Sequence, residues 1–286
     1  MMTNTNSKPK GAGVSRRLRI LCIGAHPDDC EFSCSGTAAL WSRHGHEVTF
    51  LSVTNGQSGH HEQGGPQLIA RRAEEARRAA SIIGADSHIL PLTDGYLVPS
   101  VDNRLMLIRA IRVVSPDMIV TNRPNDYHPD HRYTSQLVQD AAYSLMVPNI
   151  APDVAAMPFN PVILYWWDSF KQPLPFDPAI VVSVDATFEE KLEMLHQHES
   201  QMYEWLPWVG GYSHEVPVPS DERKDWLRGR YKLRATPSVA ERFREQLRER
   251  YGADGEAVIE AEAFELCEYG AQPAAEELEQ LFDFTE

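Results

Sequence analysis

Within five residues, Ala25-His26-Pro27-Asp28-Asp29, the chain presents one imidazole and two carboxylates. His26 and Asp29 are three apart, so in a tight turn or the first turn of a helix both can face one point, and Pro27 restricts the backbone between them. Asp28 and Asp29 are neighbours and point in different directions, which lets one carboxylate hold a metal while the other handles a proton. A further ligand is offered about a hundred residues later, in Tyr127-His128-Pro129-Asp130-His131, again with two side chains three apart and proline between them. Three protein ligands with a position left for water are the catalytic zinc pattern, not the closed structural one. His26, Asp29 and His131 are the proposed ligands.

Such groups need rigid delivery. Arg19 to Gly24 is a short apolar run suited to a buried parallel strand, and Asp117 to Thr121 is another. Each motif therefore follows a strand, at the end where open α/β sheets bind ligands. The first continues through Ser35-Gly36-Thr37 into a helix near Ala38 to His44. Further strands are expected at Glu47 to Val53, Ser87 to Leu90, Val162 to Asp168, Ile180 to Asp185 and Ala257 to Leu266. Helices are expected from Pro66 to Ile83, closed by Gly84, and at Arg104 to Ser115, Arg132 to Leu145, Thr187 to Gln201 and Ser238 to Tyr251.

With 286 residues and a 42% apolar composition, the chain can bury one sizeable α/β core. No internal repeat or second domain is evident, so residues 15–286 are read as one domain. Residues 1–14 read as a disordered tail without the apolar region of a signal peptide, 203–237 as an irregular insertion, and 276–286 as an acidic tail. No stretch reaches the ~18 consecutive apolar residues of a membrane span. A net charge of -14 leaves no excess of Lys and Arg to neutralise a phosphate backbone. Nucleic-acid and membrane partners are thus not expected. Four cysteines, at 22, 30, 34 and 267, form no CxxC pair; a reducing cytoplasm is the simpler setting, and Cys30 and Cys34 read as small buried residues beside the site.

Together the motifs Ala25-His26-Pro27-Asp28-Asp29 with Glu31, Gly36-Thr37 and His128-Pro129-Asp130-His131 resemble those of the PIG-L/LmbE-like zinc-dependent deacetylases of N-acetylglucosaminyl compounds. Weaker echoes lie at Arg72 to Glu75, Asp94-Gly95, Pro116-Asp117, His196 to Gln201 and Ala261 to Phe264. The resemblance implies a Rossmann-like three-layer α/β fold with a mostly parallel central sheet, here carrying an irregular C-terminal extension. It implies one Zn2+ per chain, with another divalent ion possible, on His26, Asp29 and His131. Asp28 would be the general base on the attacking water, and His128 would stabilise the oxyanion or protonate the leaving amine. The reaction implied is hydrolysis of the N-acetyl amide of an N-acetylglucosamine-type small molecule. Similar enzymes often form homo-oligomers, trimers or hexamers among them. Cys30 intervenes before Glu31 and Ser35 replaces a common glycine; neither change touches a proposed ligand.

Around this core the assignments are weighed residue by residue. Arg72 on a charged helix would ordinarily be solvated, but the resemblance gives it, with Asp94, a part in binding substrate. A zinc-ligating imidazole usually donates its second N–H to a carboxylate, so Asp130, or Asp126, is assigned to hold His128 or His131; capping of the next helix is the alternative for Asp130. His60 and His61 read as mobile-loop histidines. Trp166 and Trp167 alternate across a strand, so at most one faces a pocket. A dinucleotide-binding oxidoreductase is disfavoured because no GxGxxG follows the first strand and two aspartates sit where pyrophosphate would need open N–H groups. An amidase acting on a sugar-thiol conjugate is the nearest alternative activity. A metal- or carbohydrate-binding protein is the non-enzymatic one, and it would have no need of Asp28 and His128.

Overall fold

The computed structural model describes residues 16–234 and 238–284. The expected tail at 1–14 lies outside the described residues. In chain order the elements begin β1 (Arg19–Gly24), α1 (Asp29–Ser33), α2 (Ser35–Arg43), β2 (Glu47–Thr54), α3 (Gly65–Ser81), β3 (Asp86–Leu92), α4 (Val101–Val114), β4 (Met118–Thr121), α5 (Pro129–Ala142), β5 (Val162–Trp166), β6 (Ile180–Ser183) and α6 (Phe188–Gln197). A π-helical turn, Ser200–Trp205, leads into α7 (Leu206–Val209). Then come α8 (Arg223–Arg234), α9 (Val239–Arg242), α10 (Arg244–Tyr251), β7 (Ala261–Leu266) and α11 (Ala275–Gln280).

The strands form one seven-stranded sheet in the order β3-β2-β1-β4-β5-β7-β6. Neighbours from β3 through β5 run parallel, and β7 pairs antiparallel with both β5 and β6. Such a sheet is covered on both faces, and the two main apolar clusters show it. One packs Ile20, Cys22, Trp41, Phe50, Val120 and Phe264; the other packs Leu21, Ile23, Leu51, Leu107, Ile119 and Leu137. Along β1, residues 20 and 22 thus serve one face, and 21 and 23 the other, as the pleat requires. Strand order reverses between β1 and β4, and ligands of open α/β sheets bind beyond the strand ends at such a reversal. The two motifs leave from these two strands.

Three expectations are corrected. The described part of the expected acidic tail, 276–284, packs on the domain: α11 covers 275–280, and Phe282 is fully buried against Trp41 and Phe264. The 203–237 insertion is largely helical, and Met202, Tyr203 and Leu227 pack on Leu192 and Leu195 of α6. The helix expected from Thr187 to Gln201 stops at Gln197, and the chain resumes as the π-helical turn. Both tryptophans at the end of β5 pack rather than line a pocket: Trp166 in the main core, and Trp167 beneath the Arg242 guanidinium. All four cysteines are reduced and buried, with Cys30 Sγ donating to Cys22 O and Cys34 Sγ to Cys30 O.

Candidate active site

Asp29 opens α1 just beyond β1, and its Oδ2 accepts backbone N–H bonds from Ala25 and His26 at 2.7 and 3.0 Å. Folding back so tightly requires Gly24, where a Cβ would lie 2.6 Å from that of Asp29. With Oδ2 tied to amides, Oδ1 is left to face the second motif, 3.5 Å from His131 Nε2. His131 Nε2 is in turn 3.3 Å from His26 Nδ1, which is 3.7 Å from Asp29 Oδ2. Two ligands about 2.0–2.1 Å from a tetrahedral ion lie roughly 3.3 Å apart, and the inward nitrogens of His26 and His131 already have that spacing, while Asp29 approaches each of them through a different carboxylate oxygen. A ring nitrogen of His128 is also near, within 4.8 Å of the two histidines' ligand atoms.

The outer partners fix which nitrogens face inward. His131 Nδ1 is 3.0 Å from Asp126 Oδ2, and the other Asp126 oxygen accepts the His128 backbone N–H at 2.8 Å. Of the two alternatives for orienting His131, the structure therefore selects Asp126. Asp130 reaches instead across to the first motif: its Oδ2 is 3.4 Å from His26 Nε2 and accepts the Gly95 N–H at 2.7 Å. Asp94 Oδ1 approaches the same nitrogen at 3.2 Å, so Asp94 and Asp130 both face His26, and Asp130 orients neither His128 nor His131. Nor does Asp130 cap α5. That place is taken by His128, whose Nδ1 accepts the Asp130 N–H at 3.2 Å.

Charge at the site is unbalanced. Burial works against protonated imidazole at His131 and His26, yet neighbouring carboxylates outweigh it, pushing His131 up to about 10 and His26 well above its ordinary range. Burial likewise opposes the Asp29 charge, but His131 and His26 hold that carboxyl well below the usual range. With Asp29 at the two inward nitrogens and Asp94 and Asp130 at His26 Nε2, the carboxylates outnumber the imidazoles they meet, and a divalent cation would supply the missing positive charge on ligands of the type zinc prefers. By donor chemistry and spacing the residues fit a metal. Burial, together with repulsion by His26 and His131, lowers the His128 pKa, so His128 stays neutral.

Arg72 is not a solvated-face residue. It is 2% exposed, donates to Gly56 O and Pro27 O at 3.2 Å each, and sits 3.2 Å from Asp28 Oδ1 and 3.9 Å from Asp94 Oδ2. Gly56, at φ +70°, gives its guanidinium room, since a Cβ there would fall 2.8 Å from Nη1. Burial pushes the Asp28 carboxyl up to about 6 against the opposing pull of Arg72. Asp94 is similarly buried, and it accepts the Ser58 N–H at 3.1 Å.

A cavity of about 420 Å³ lies over these groups, with His26, Asp28, Asp29, Arg72, Asp94, His128 and His131 all on its wall. Asp130 lies behind His26. Tyr127, 74% exposed, borders the cavity with its ring edge-on to His128. His60 is not an untethered loop histidine: it is buried, with Nε2 2.8 Å from Glu204 and Nδ1 accepting two amides. Phe32, Gln201, Trp205 and Leu206 also line the cavity, and sequence reasoning gave none of these four a role of its own. It missed also the buried Glu31–His198 pair at 3.1 Å. Glu31 stands with the first motif and His198 in the His196 to Gln201 echo, but nothing local pairs them.

Comparison with known proteins places this arrangement. Residues 21–142 match the family described as GlcNAc-PI de-N-acetylase. The diacetylchitobiose deacetylase of Thermococcus kodakarensis is 30% identical over 202 residues, 66% of this chain and 73% of that protein. The chain belongs to the PIG-L/LmbE-like deacetylase family. Among solved structures, N,N'-diacetylchitobiose deacetylase from Pyrococcus horikoshii superposes with a TM-score of 0.65 at 23% identity, covering 87% of this chain and 84% of that one. The 4-carboxy-2-hydroxymuconate hydratase of Pseudomonas putida superposes as well, with a TM-score of 0.66 at 16% identity, 89% of this chain and 98% of that one. These likenesses establish the PIG-L/LmbE-type fold, a mixed α/β architecture on a mostly parallel sheet. That fold also serves a hydratase, so function has to be argued from the site.

Proposed function

We propose that this protein is a metal-dependent N-deacetylase that cleaves the acetamide of an N-acetylated amino sugar, giving acetate and a free amine. The observation that carries the reading is the grouping of His26, Asp29 and His131 at 3.3–3.7 Å on one cavity wall that also carries Asp28. Hydrolytic N-deacetylation is the family's reaction, and two of the curated relatives are named for acetylated glucosamine derivatives. His26, Asp29 and His131 would hold the cation, zinc by ligand type. When bound, it supplies Lewis acidity to the acyl oxygen and makes a water acidic enough to attack near neutral pH.

The chain's own groups do the rest. Asp28 Oδ1 is held by Arg72, which leaves Oδ2 to take the proton of the attacking water as the C–O bond forms. His128 has Nδ1 occupied as acceptor, so its neutral ring carries hydrogen on Nε2 and donates it to the developing oxyanion. The proton on Asp28 then passes to nitrogen as the C–N bond breaks, and the neutral amine leaves. Arg72 and Asp94, both on the cavity wall, are placed for sugar hydroxyls, but each is already engaged with catalytic-site residues and first of all positions them. A spare base and an oxyanion donor are what a purely binding protein would not need.

The test is release of free amine from a panel of N-acetylglucosamine derivatives, with chelator and after zinc is restored. Chelator-sensitive, zinc-restored release is expected, with Asp28→Asn keeping its zinc and losing about 10²–10⁴-fold in turnover. Undiminished turnover in Asp28→Asn removes that residue as the base. Metal binding without release from any acetamido sugar overturns the deacetylase assignment.

A further inference from the structure

Four aromatic rings are stacked beside the cavity, and the last of them, Trp205, lines it. His60 and His61 lie with ring centroids 4.7 Å apart and planes 17° from parallel, His61 and Trp208 at 4.9 Å and 8°, and Trp208 and Trp205 at 5.4 Å and 17°. The far end is anchored. His60 is fixed by two backbone amides and by Glu204, and Arg71 grips both oxygens of Glu204 at 2.7 Å. The near end is Trp205, which among the described residues has no ring partner besides Trp208, and which lines the cavity. Its indole is therefore the terminal ring of a braced ladder, with one face toward the stack and the other uncovered by any ring.

Four residues before Trp205, on the same side of the helical turn, Gln201 also lines the cavity. Its Nε2 donates to Gly59 O and Ser200 Oγ at 3.0 Å each, so its Oε1 remains free to accept. An indole face and a fixed amide acceptor, in a cavity also lined by the polar Ser58, Arg72 and Asp94, make an amphipathic slot. A pyranose has the matching shape, with C–H bonds on one face and hydroxyls on its rim. Those C–H hydrogens carry partial positive charge and meet the negative face of the indole. An alkyl or aryl group would leave the Gln201 acceptor facing apolar surface, at a desolvation cost.

Deepening the deacetylase reading, on which it rests, we propose that Trp205 is the stacking platform for a pyranose ring of the substrate, with Gln201 Oε1 accepting from a hydroxyl of that ring. Because the ladder is braced before substrate arrives, the platform adds affinity with little ordering cost. Trp205→Leu keeps apolar bulk and removes the planar face, whereas Trp205→Tyr keeps a face.

The experiment combines kinetics and saturation-transfer NMR on zinc-loaded protein, with N,N'-diacetylchitobiose and the methyl glycoside of N-acetylglucosamine as probes. Trp205→Leu is expected to raise KM about tenfold for at least one sugar with kcat within about twofold, and to abolish saturation of ring C–H protons; Trp205→Tyr should restore both. Unchanged KM and unchanged ring saturation in a folded Trp205→Leu overturn the platform. So does a probe with an aryl aglycone proving more sensitive to Trp205→Leu than either sugar. Should Trp205→Leu not fold, the same comparison between wild type and Trp205→Tyr, plus Gln201→Leu, decides: wild-type protein without saturation of ring C–H protons refutes the proposal. Ring saturation without amine release from any sugar leaves the platform standing and sinks only the deacetylase reading.

Discussion

Replacing Arg72 with glutamine should destabilise the protein more than any other single charge removal on α3. The guanidinium is 2% exposed and compensates two buried carboxylates, Asp28 and Asp94, while filling two backbone carbonyl acceptors. Breaking a buried pair by removing one partner costs about 3–5 kcal/mol, mostly because the other charge is left uncompensated. For a chain of this size each kcal/mol lowers Tm by roughly 2–4 °C, so a fall of some ~6–20 °C is expected. Urea unfolding of metal-free protein provides the assay, with Arg77→Gln as the control, since Arg77 pairs with Glu74 in the open. The carboxylate left behind also predicts non-additivity: Arg72→Gln with Asp28→Asn should recover about half of the loss, because the main uncompensated charge is then gone. A loss below about 1 kcal/mol, or a double variant no better than Arg72→Gln alone, would refute the argument that Arg72 acts chiefly by neutralising Asp28.

Other outcomes are as definite. His131→Ala should lose bound metal by elemental analysis, whereas His128→Ala should keep it and slow turnover by about 10²–10³-fold; equal metal loss in both would make His128 a ligand and refute the assignment that separates it from His131. Asp126→Asn, which takes the negative charge away from His131 Nδ1, should weaken metal affinity about 10–100-fold in a competitive chelator titration without displacing the ligands. Burial opposes the charge on His198, but Glu31 outweighs it and raises the folded-state pKa. That contribution to stability is thus complete below about pH 6.5 and fades as pH rises through the folded value. His198→Gln should flatten this decline in a pH series of Tm, and an unchanged slope would exclude His198 as its source. Phe282→Ala should cost about 3–5 kcal/mol, while a disordered tail would give no measurable change.

Where function forces unlike side chains together, sequence was informative; where packing decides, it was less so. His26, Asp28, Asp29, His128 and His131 stood out because imidazoles and carboxylates recur at short spacing after apolar runs, and β1 and β4 prove to be neighbours at the sheet's reversal. Asp94 and Asp130 were noticed, but not their shared target: nothing local tells a carboxylate on one loop that it will face an imidazole from another strand. Arg72 looked solvated because its helix is dense in charge, and only the tertiary position of Gly56 and Asp28 buries it. The acidic C-terminus was misread for the same reason. Its glutamates suggested a tail, while Leu278 and Phe282, two apolar residues among them, were the informative ones. Trp205 drew no assignment of its own, since a tryptophan in an irregular segment reads equally as core.

The antiparallel strand β7 lies between β5 and β6, although it is made last of the three. From it Glu262 reaches the start of α2, accepting N–H bonds from Gly36 and Thr37 and the Thr37 hydroxyl, while Lys191 neutralises it. The helix that follows the first motif is therefore secured by a carboxylate some 225 residues downstream. During synthesis, a nascent chain that has emitted both motifs still lacks this anchor and has an open edge on β5. Contacts of such long sequence separation close late and slowly. Metal capture by the emerging chain should accordingly lag behind exposure of His131 and coincide with release of β7 from the ribosome.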